Sequence, residues 1–345
     1  MTTIALDGRG AERGPQVLID AATEVAAEGI STRVFGDPDE LASLQDVEGV
    51  EVLEATELIG NDEEPVAGVR RKPDASIVRA AADVAEGNSD AVVSAGSTGA
   101  TLTASMLALR RMSGVRRPAL ALQLAAPGRS RPPALLLDLG ANAEARPADL
   151  AQYGFLGSAF SAAVLGIESP RVALLSIGEE AKKGTPRVIE AHELLAAAEG
   201  IEFIGNIEGR DLLGEKADVI VTDGFTGNVA LKTIEGTAKV FGEAIRIAAK
   251  SGPLASIGGL LLKPALSGLR ETANPDTHGG TIVLGLRKIS VVTHGNAGSA
   301  GIANSIRLAA RAVAGGAIER TAELLERSGA TRAAMSAGAD SDAPN

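Results

Sequence analysis

The sequence predicts an α/β protein: a three-layer α/β/α arrangement with helices on both faces of a mostly parallel, Rossmann-like sheet. Three observations predict it. Short apolar β-type runs alternate with helical stretches along the chain. Several runs, such as "VIV" at 219–221, are continuously apolar, as strands buried on both faces require. Most runs end in a glycine-spaced loop carrying Asp, Asn, Ser or Lys before a helix begins.

The elements follow in order. "TIAL" (3–6) precedes a helix beginning near Pro15, and "TRVF" (32–35) precedes a helical "PDELASLQ". "AVVS" (91–94) leads into a long helix ending near Arg111. "ALLLDLG" (134–140), "RVALLSIG" (171–178), "IEFIGN" (201–206) and "DVIVTDG" (218–224) follow, most with helices after them. Pro147 and Pro186 fall where a first helical turn tolerates proline. One α/β unit is expected over 1–327, with a disordered tail at 328–345. Residues 252–270, "GPLASIGGLLLKPALSGLR", break the pattern, and the proline at 264 limits any continuous helix. They read either as a helical hairpin buried in a core or dimer interface, or as an exposed apolar tip touching a membrane.

Composition narrows the function. The chain has no cysteine, which excludes disulfides, thiolate metal sites and a cysteine nucleophile, and suits a reducing cytoplasm. His192, His278 and His294 lack metal-site spacing. A net charge of −11 with one Tyr, six Phe and no Trp argues against nucleic-acid binding. The N-terminus lacks signal-peptide regions. The uncharged stretch 91–109 is too rich in Gly, Ser and Thr to read as a membrane span.

Four or five strand ends carry the same chemistry. "AVVSAGSTGA" offers Ser97, Thr98 and Gly99; "LLLDLGANAEARP" offers Asp138 and Asn142; "ALLSIGEEAKKG" offers Glu179, Glu180, Lys182 and Lys183. "FIGNIEG" adds Asn206, and "VIVTDGFTGNVALKTIEG" adds Asp223, Asn228 and Lys232, the last two on one helix face. Free N–H groups at helix starts and nearby lysines favour a small, phosphate-bearing anion. GxxxxGK[ST] and GxGxxG are absent, which counts against ATPases and nicotinamide dehydrogenases.

"KPDASI", "DAVVSAGSTGA", "RPAL", "LLLDLGAN", "PRVALLSIGEEAKKG", "FIGNIEGRD" and "DVIVTDGFTGNVALKTIEG" stand in one order. That series, from about residue 3 to 325, resembles the bacterial phosphate acyltransferases of phospholipid synthesis, the PlsX family. The resemblance implies transfer of a long-chain acyl group from acyl carrier protein to inorganic phosphate, without a cofactor. It also implies a fold related to phosphate acetyltransferases and isopropylmalate dehydrogenases, a homodimer, and peripheral membrane association beside a downstream glycerol-3-phosphate acyltransferase. The N-terminal motif departs from the family's D-A-M-G-G-D-H-A-P: Glu12 and Arg13 replace its second aspartate and its histidine, and Ser97 replaces the Asn of SAGNTGA.

Phosphate attacking a thioester supplies its own nucleophilic oxygen, so the protein needs to position anions and stabilise an oxyanion. The expected catalytic group is Lys183, Lys232, Asn228 and Asp223, with the lysines neutralising phosphate and Asp223 orienting its loop. Ser97, Thr98, Gly99, Asn142 and Asn206 are candidate phosphate or oxyanion ligands, or structural turns and caps. Arg110, Arg111, Arg116 and Arg117 could dock an acidic carrier protein, or be ordinary solvated arginines. Alternatives are a short-chain acyl-coenzyme A phosphate acyltransferase and a non-catalytic ligand-binding relative.

Overall fold

The computed structural model describes residues 2–126, 128–272 and 277–330. The first part of the chain forms β1 (Thr3–Asp7), α1 (Gln16–Ala27), β2 (Ser31–Gly36), β3 (Val50–Glu54), α2 (Pro65–Arg71) and α3 (Ser76–Glu86). Next come β4 (Ala91–Ser94), α4 (Thr98–Leu109), β5 (Ala119–Leu124), β6 (Ala134–Leu137) and α5 (Pro147–Val164). β7 (Arg171–Leu175), α6 (Pro186–Ala196), β8 (Glu202–Ile207), β9 (Val219–Val221) and α7 (Gly224–Ala249) follow. α8 (Pro253–Thr272), β10 (Thr281–Leu284), β11 (Ile289–Val292), α9 (Ser299–Ala314) and α10 (Ala317–Arg327) complete the order.

All strands join one sheet, ordered β3-β2-β1-β4-β11-β10-β5-β6-β9-β7-β8. Alternate residues of each strand enter two separate cores. Ile4, Leu6, Val93, Leu135, Leu137, Val219 and Val291 face one; Ala5, Val92, Leu122, Leu136, Ile220 and Val283 face the other. Both cores are closed by helices, so period-2 alternation places apolar residues in both and the runs look continuous. The expected three-layer α/β/α class is what forms.

The sheet is more mixed than the expectation. β10 runs antiparallel to both β11 and β5, and β5 runs antiparallel to β6. The parallel block β3-β2-β1-β4-β11 therefore runs opposite to the parallel block β6-β9-β7-β8. The carboxyl ends of the two blocks lie at opposite edges of the sheet. We call these the first and second edges.

Three local expectations change. "PDELASLQ" holds only a 3₁₀ turn at Ala42–Leu44. α8 continues past Pro264; the bond lost there belongs to the carbonyl of exposed Leu260, where water can replace it. The chain stays packed through Ala330, whose buried carbonyl accepts from Gln152 Nε2 at 2.8 Å. Residues 331–345, the remainder of the expected tail, lie outside the described residues.

The amino-terminal side of the second block is tied by one carboxylate. Asp218 is 0% exposed and accepts from Arg171 Nε at 2.9 Å, Arg131 Nε at 3.0 Å and Arg129 Nη2 at 3.3 Å. Burial opposes its ionisation, but hydrogen bonds from Arg171 and Arg131 outweigh that and bring the carboxyl down to about 2 from the ordinary 3.8. The resulting stability is complete above the unfolded value and is lost as pH falls through about 2. Asp218→Asn removes the buried counter-charge that three arginines share and is expected to cost about 3–5 kcal/mol in urea unfolding at pH 7. Thermal melts between pH 4 and 2 should show the loss in wild type and a flatter profile in the variant.

Candidate active site

The first edge is organised by Asp7. Its buried carboxylate accepts from Ser76 Oγ at 2.5 Å, Ser94 Oγ at 2.7 Å and the Arg9 amide at 3.2 Å. Burial raises its pKa, and the hydrogen bonds from Ser76 and Ser94 oppose that rise. Ser94 Oγ in turn accepts from the Gly96 amide at 3.0 Å and Thr101 Oγ1 at 3.0 Å, fixing the turn into α4. Gly10 lies so close to Gly96 that a Cβ there would collide with its backbone. Ser97 caps α4 by accepting from the Ala100 amide at 3.4 Å.

The β11 turn closes on the same place, a juxtaposition the sequence reading did not find. The Glu12 amide donates to the Gly295 carbonyl at 2.7 Å, and Asn61 Nδ2 reaches Glu12 Oε1 at 3.4 Å. A Cβ on Gly298, the N-cap of α9, would stand 3.3 Å from Arg13 Nη1. Arg13 thus places a cation beside a helix start that itself favours negative charge. Arg13 has no ion pair among the described residues, while Thr293 Oγ1 is buried without a hydrogen-bond partner. The starts of α1, α4 and α9 share this edge, each with unpaired backbone N–H groups. The local signal was the pair of "HGG" and "HGN" turns at His278 and His294.

Asp138 organises the second edge. It is fully buried, and its carboxylate accepts from the amides of Leu120 (3.1 Å), Gly140 (3.2 Å), Ala141 (3.0 Å) and Asn142 (2.8 Å), and from Asn142 Nδ2 (2.9 Å). Burial raises its pKa, opposed first by the Asn142 side chain. Asn142 Nδ2 also lies 2.7 Å from the Pro118 carbonyl and 2.9 Å from Tyr153 Oη. Its carbonyl accepts from the Gly224 amide at 2.9 Å, which joins the β6 and β9 loops. Asp223 caps α7, accepting from the Thr226 amide at 2.8 Å and Thr226 Oγ1 at 2.9 Å.

The expected residues therefore separate into groups. Asn142, Asp223 and Asn228 converge on the second edge; Lys183 lies in the loop after β7 and Asn206 at the end of β8, both at that edge. Ser97, Thr98 and Gly99 stand at the first edge, away from them. Among the described residues, Lys183 has no ion pair and the Asn228 side chain no hydrogen bond, and both residues are exposed. Lys232 pairs with Glu235 at 2.8 Å. Asn206 is committed at both ends: Nδ2 donates to the Glu180 carbonyl at 3.0 Å, and Oδ1 meets His192 Nδ1 at 2.9 Å. Asn142 and Asn206 thus hold loops, Asn142 at the turn after β6 and Asn206 through the Glu180 carbonyl.

The arginine run divides too. Arg116 Nε donates to buried Asp149 at 2.8 Å, so Arg116 ties the approach to β5 onto α5. Arg117 Nη1 lies 3.4 Å from Asn142 Oδ1, beside the second-edge loops. Arg111 reaches the Arg116 carbonyl, and the Arg287 amide donates to the Arg110 carbonyl at 3.0 Å. Arg110, Arg111, Arg117 and Arg287 are exposed.

Two edges rich in helix starts and exposed cations define an α/β protein whose strand ends favour negative charge. Its fold is shared with solved structures. It superposes on EutD phosphotransacetylase from Staphylococcus aureus with a TM-score of 0.59, 19% identity, and coverage of 90% of this chain and 94% of that one. A phosphotransacetylase from Streptococcus pyogenes gives a TM-score of 0.61 at 16% identity, covering 91% and 94%. A family model described as "Fatty acid synthesis protein" matches residues 2–320. A phosphate acyltransferase of Lactococcus lactis subsp. cremoris is 43% identical over 88% of this chain and 92% of its own length. One from Limosilactobacillus reuteri is 40% identical over 94% and 96%. The chain belongs to this fatty acid synthesis protein family, the phosphate acyltransferases.

Two glycines of α7 give opposite tests of the geometry. A Cβ at Gly227 would strike the Asp138 carbonyl, so Gly227→Ala is expected to cost about 1–3 kcal/mol in urea unfolding. Gly236 has nothing nearby, so Gly236→Ala should stabilise the protein by about 0.5–1 kcal/mol.

Proposed function

We propose that the chain transfers a long-chain fatty acyl group from acyl carrier protein to inorganic phosphate, giving an acyl phosphate for phospholipid synthesis. An oxygen of HPO₄²⁻ attacks the thioester carbon, the C–S bond breaks, and the proton of phosphate ends on the pantetheine thiol. No side-chain nucleophile is required, which agrees with a chain that has no cysteine. The work left to the protein is to neutralise phosphate, hold it against the carbonyl, and stabilise the oxyanion.

The observation that carries this reading is uncommitted charge at the family's motifs. Lys183, Arg117 and Arg13 are exposed, and none has an ion pair among the described residues. The backbone turn at Gly96–Gly99 supplies N–H groups at the start of α4. Asp138 and Asp7 are buried and hydrogen-bonded, which suits loop positioning rather than proton transfer. Lys232 would reach the site by exchanging Glu235 for phosphate. Arg110, Arg111, Arg117 and Arg287 form a basic surface for an acidic carrier, bordered by exposed Met106 and Leu107 on α4.

Incubation with palmitoyl-acyl carrier protein and phosphate should yield acyl phosphate, whereas acetyl-coenzyme A should be a far poorer donor. Acetyl transfer at equal efficiency would favour the short-chain reading. Lys183→Met is expected to lower turnover by about 10²-fold, the usual loss of one electrostatic stabiliser. Turnover unchanged in the folded variant removes Lys183 from the site.

A membrane contact belongs to the same reading. Among the described residues no helix is long and apolar enough to cross a membrane. α7 and α8 pack together and leave Leu254 87%, Leu261 76% and Leu260 70% exposed. Such a tip suits delivery of a greasy product to a lipid surface. Changing Leu260, Leu261 and Leu262 to Ser should abolish flotation with anionic liposomes; equal flotation sinks the contact.

A further inference from the structure

β8 carries one residue more than its partner over the same stretch: Val172 pairs with Phe203, and Leu174 with Asn206. Residues three apart in a regular strand point to opposite faces. The extra residue turns Phe203 and Asn206 to the same face instead. Gly205 takes up the irregularity at a φ of +95°, where any other L residue is strained. The face that results is the one α6 covers, and His192 of α6 meets both side chains. Its ring stands edge-on to Phe203 with centroids 5.1 Å apart, and its Nδ1 lies 2.9 Å from Asn206 Oδ1.

The direction of these hydrogen bonds follows from the far end of the amide. Asn206 Nδ2 donates to the Glu180 carbonyl at 3.0 Å, so Oδ1 is the acceptor and His192 Nδ1 carries the hydrogen. Turning the amide over would set Oδ1 against the Glu180 carbonyl oxygen. The same carbonyl accepts from the Lys183 amide at 3.0 Å, and the Lys183 carbonyl accepts from Ser176 Oγ at 2.8 Å. A Cβ on Gly178 would stand 2.9 Å from Lys183 Cγ, so the stem of the lysine lies against the backbone of its own loop. A chain of contacts therefore runs from α6 through β8 to the backbone that carries Lys183.

Resting on the acyl-transfer reading, we infer that His192 and Asn206 are positioning residues for Lys183: through the Glu180 carbonyl they fix the loop from which its ammonium meets phosphate. Asn206 is 6% exposed and acts on the loop, not on a ligand. Residues 176–183 form neither helix nor strand, and Glu179 through Lys183 are exposed. An ammonium on an unbraced loop would be spread over many positions, and a charge stabilises a transition state only where it stands ready. The bulge in β8 is thus a device that aims Asn206 at this loop.

A double-mutant cycle on phosphorolysis of palmitoyl-acyl carrier protein tests the assignment. Asn206→Leu should lower kcat/KM for phosphate by about 10-fold or more and leave the KM for the carrier protein unchanged. His192→Leu should lower the same constant, and His192→Asn, whose amide can donate from near the Nδ1 position, should restore it. In a Lys183→Met background neither leucine change should cost anything further, because a positioning residue acts only through the group it positions. Circular dichroism and thermal melts establish that each variant is folded. His192 is half-buried on α6, so its variants carry the test should Asn206→Leu fail to fold. Losses that multiply with that of Lys183→Met, or an equal rise in the carrier-protein KM, overturn the positioning role and leave the acyl-transfer reading intact. Wild-type rates in folded Asn206→Leu and His192→Leu do the same. Wild-type turnover in Lys183→Met itself removes Lys183 from the site, and the positioning role falls with it.

Discussion

The antiparallel seam β11-β10-β5-β6 is the constraint on which the rest of the structure depends. A wholly parallel sheet would send every strand-end loop to one rim, and a single crevice would follow. Here β10 opposes its neighbours on both sides and β5 opposes β6, so the sense of the sheet turns over at its middle. The two glycine-rich rims face apart. Motifs that read alike in sequence therefore stand at two rims, each at the carboxyl ends of its own parallel block.

Each rim is built around a buried aspartate rather than around a base. Asp7 and Asp138 sit at or just beyond the last residue of a strand, with their charge desolvated and met by hydroxyl or amide donors. A carboxylate is acceptor-only when ionised, so it gathers N–H groups from several segments and fixes how they turn. Hydrogen bonds to a charged group are worth about 1.5–3 kcal/mol each, enough to set loop geometry but not enough to spare a buried charge its desolvation. Asp218 does comparable work at the opposite end of the second block, through guanidinium groups. The cations left exposed around these rims, Arg13, Arg117 and Lys183, have no ion pair among the described residues.

α7 links these layers of organisation. Its first turns are clamped by the Asn142 carbonyl and the close fit of Gly227 on Asp138, and Leu231 still reaches the core. Beyond that it leaves the body and pairs with α8. One helix therefore begins at the second-edge loops and ends at the exposed apolar pair it forms with α8.

The sequence by itself determined the layered α/β class, most of the strands, and the family, because buried strands write their apolar character locally and the motifs are contiguous. It did not reveal β3, β5, β10 or β11 as strands, nor the direction in which any strand runs. Direction comes from pairing between segments as distant as residues 119–124 and 281–284, and nothing in either stretch records its neighbour's sense. The commitments of Asn142, Asn206 and Arg116 were equally hidden. A donor that looks available in a motif is free only if nothing distant claims it, and Tyr153, His192 and Asp149 make those claims. Tertiary structure alone decided which charges remained unspent, since hydrogen bonds and ion pairs form between surfaces that meet only after the chain has folded.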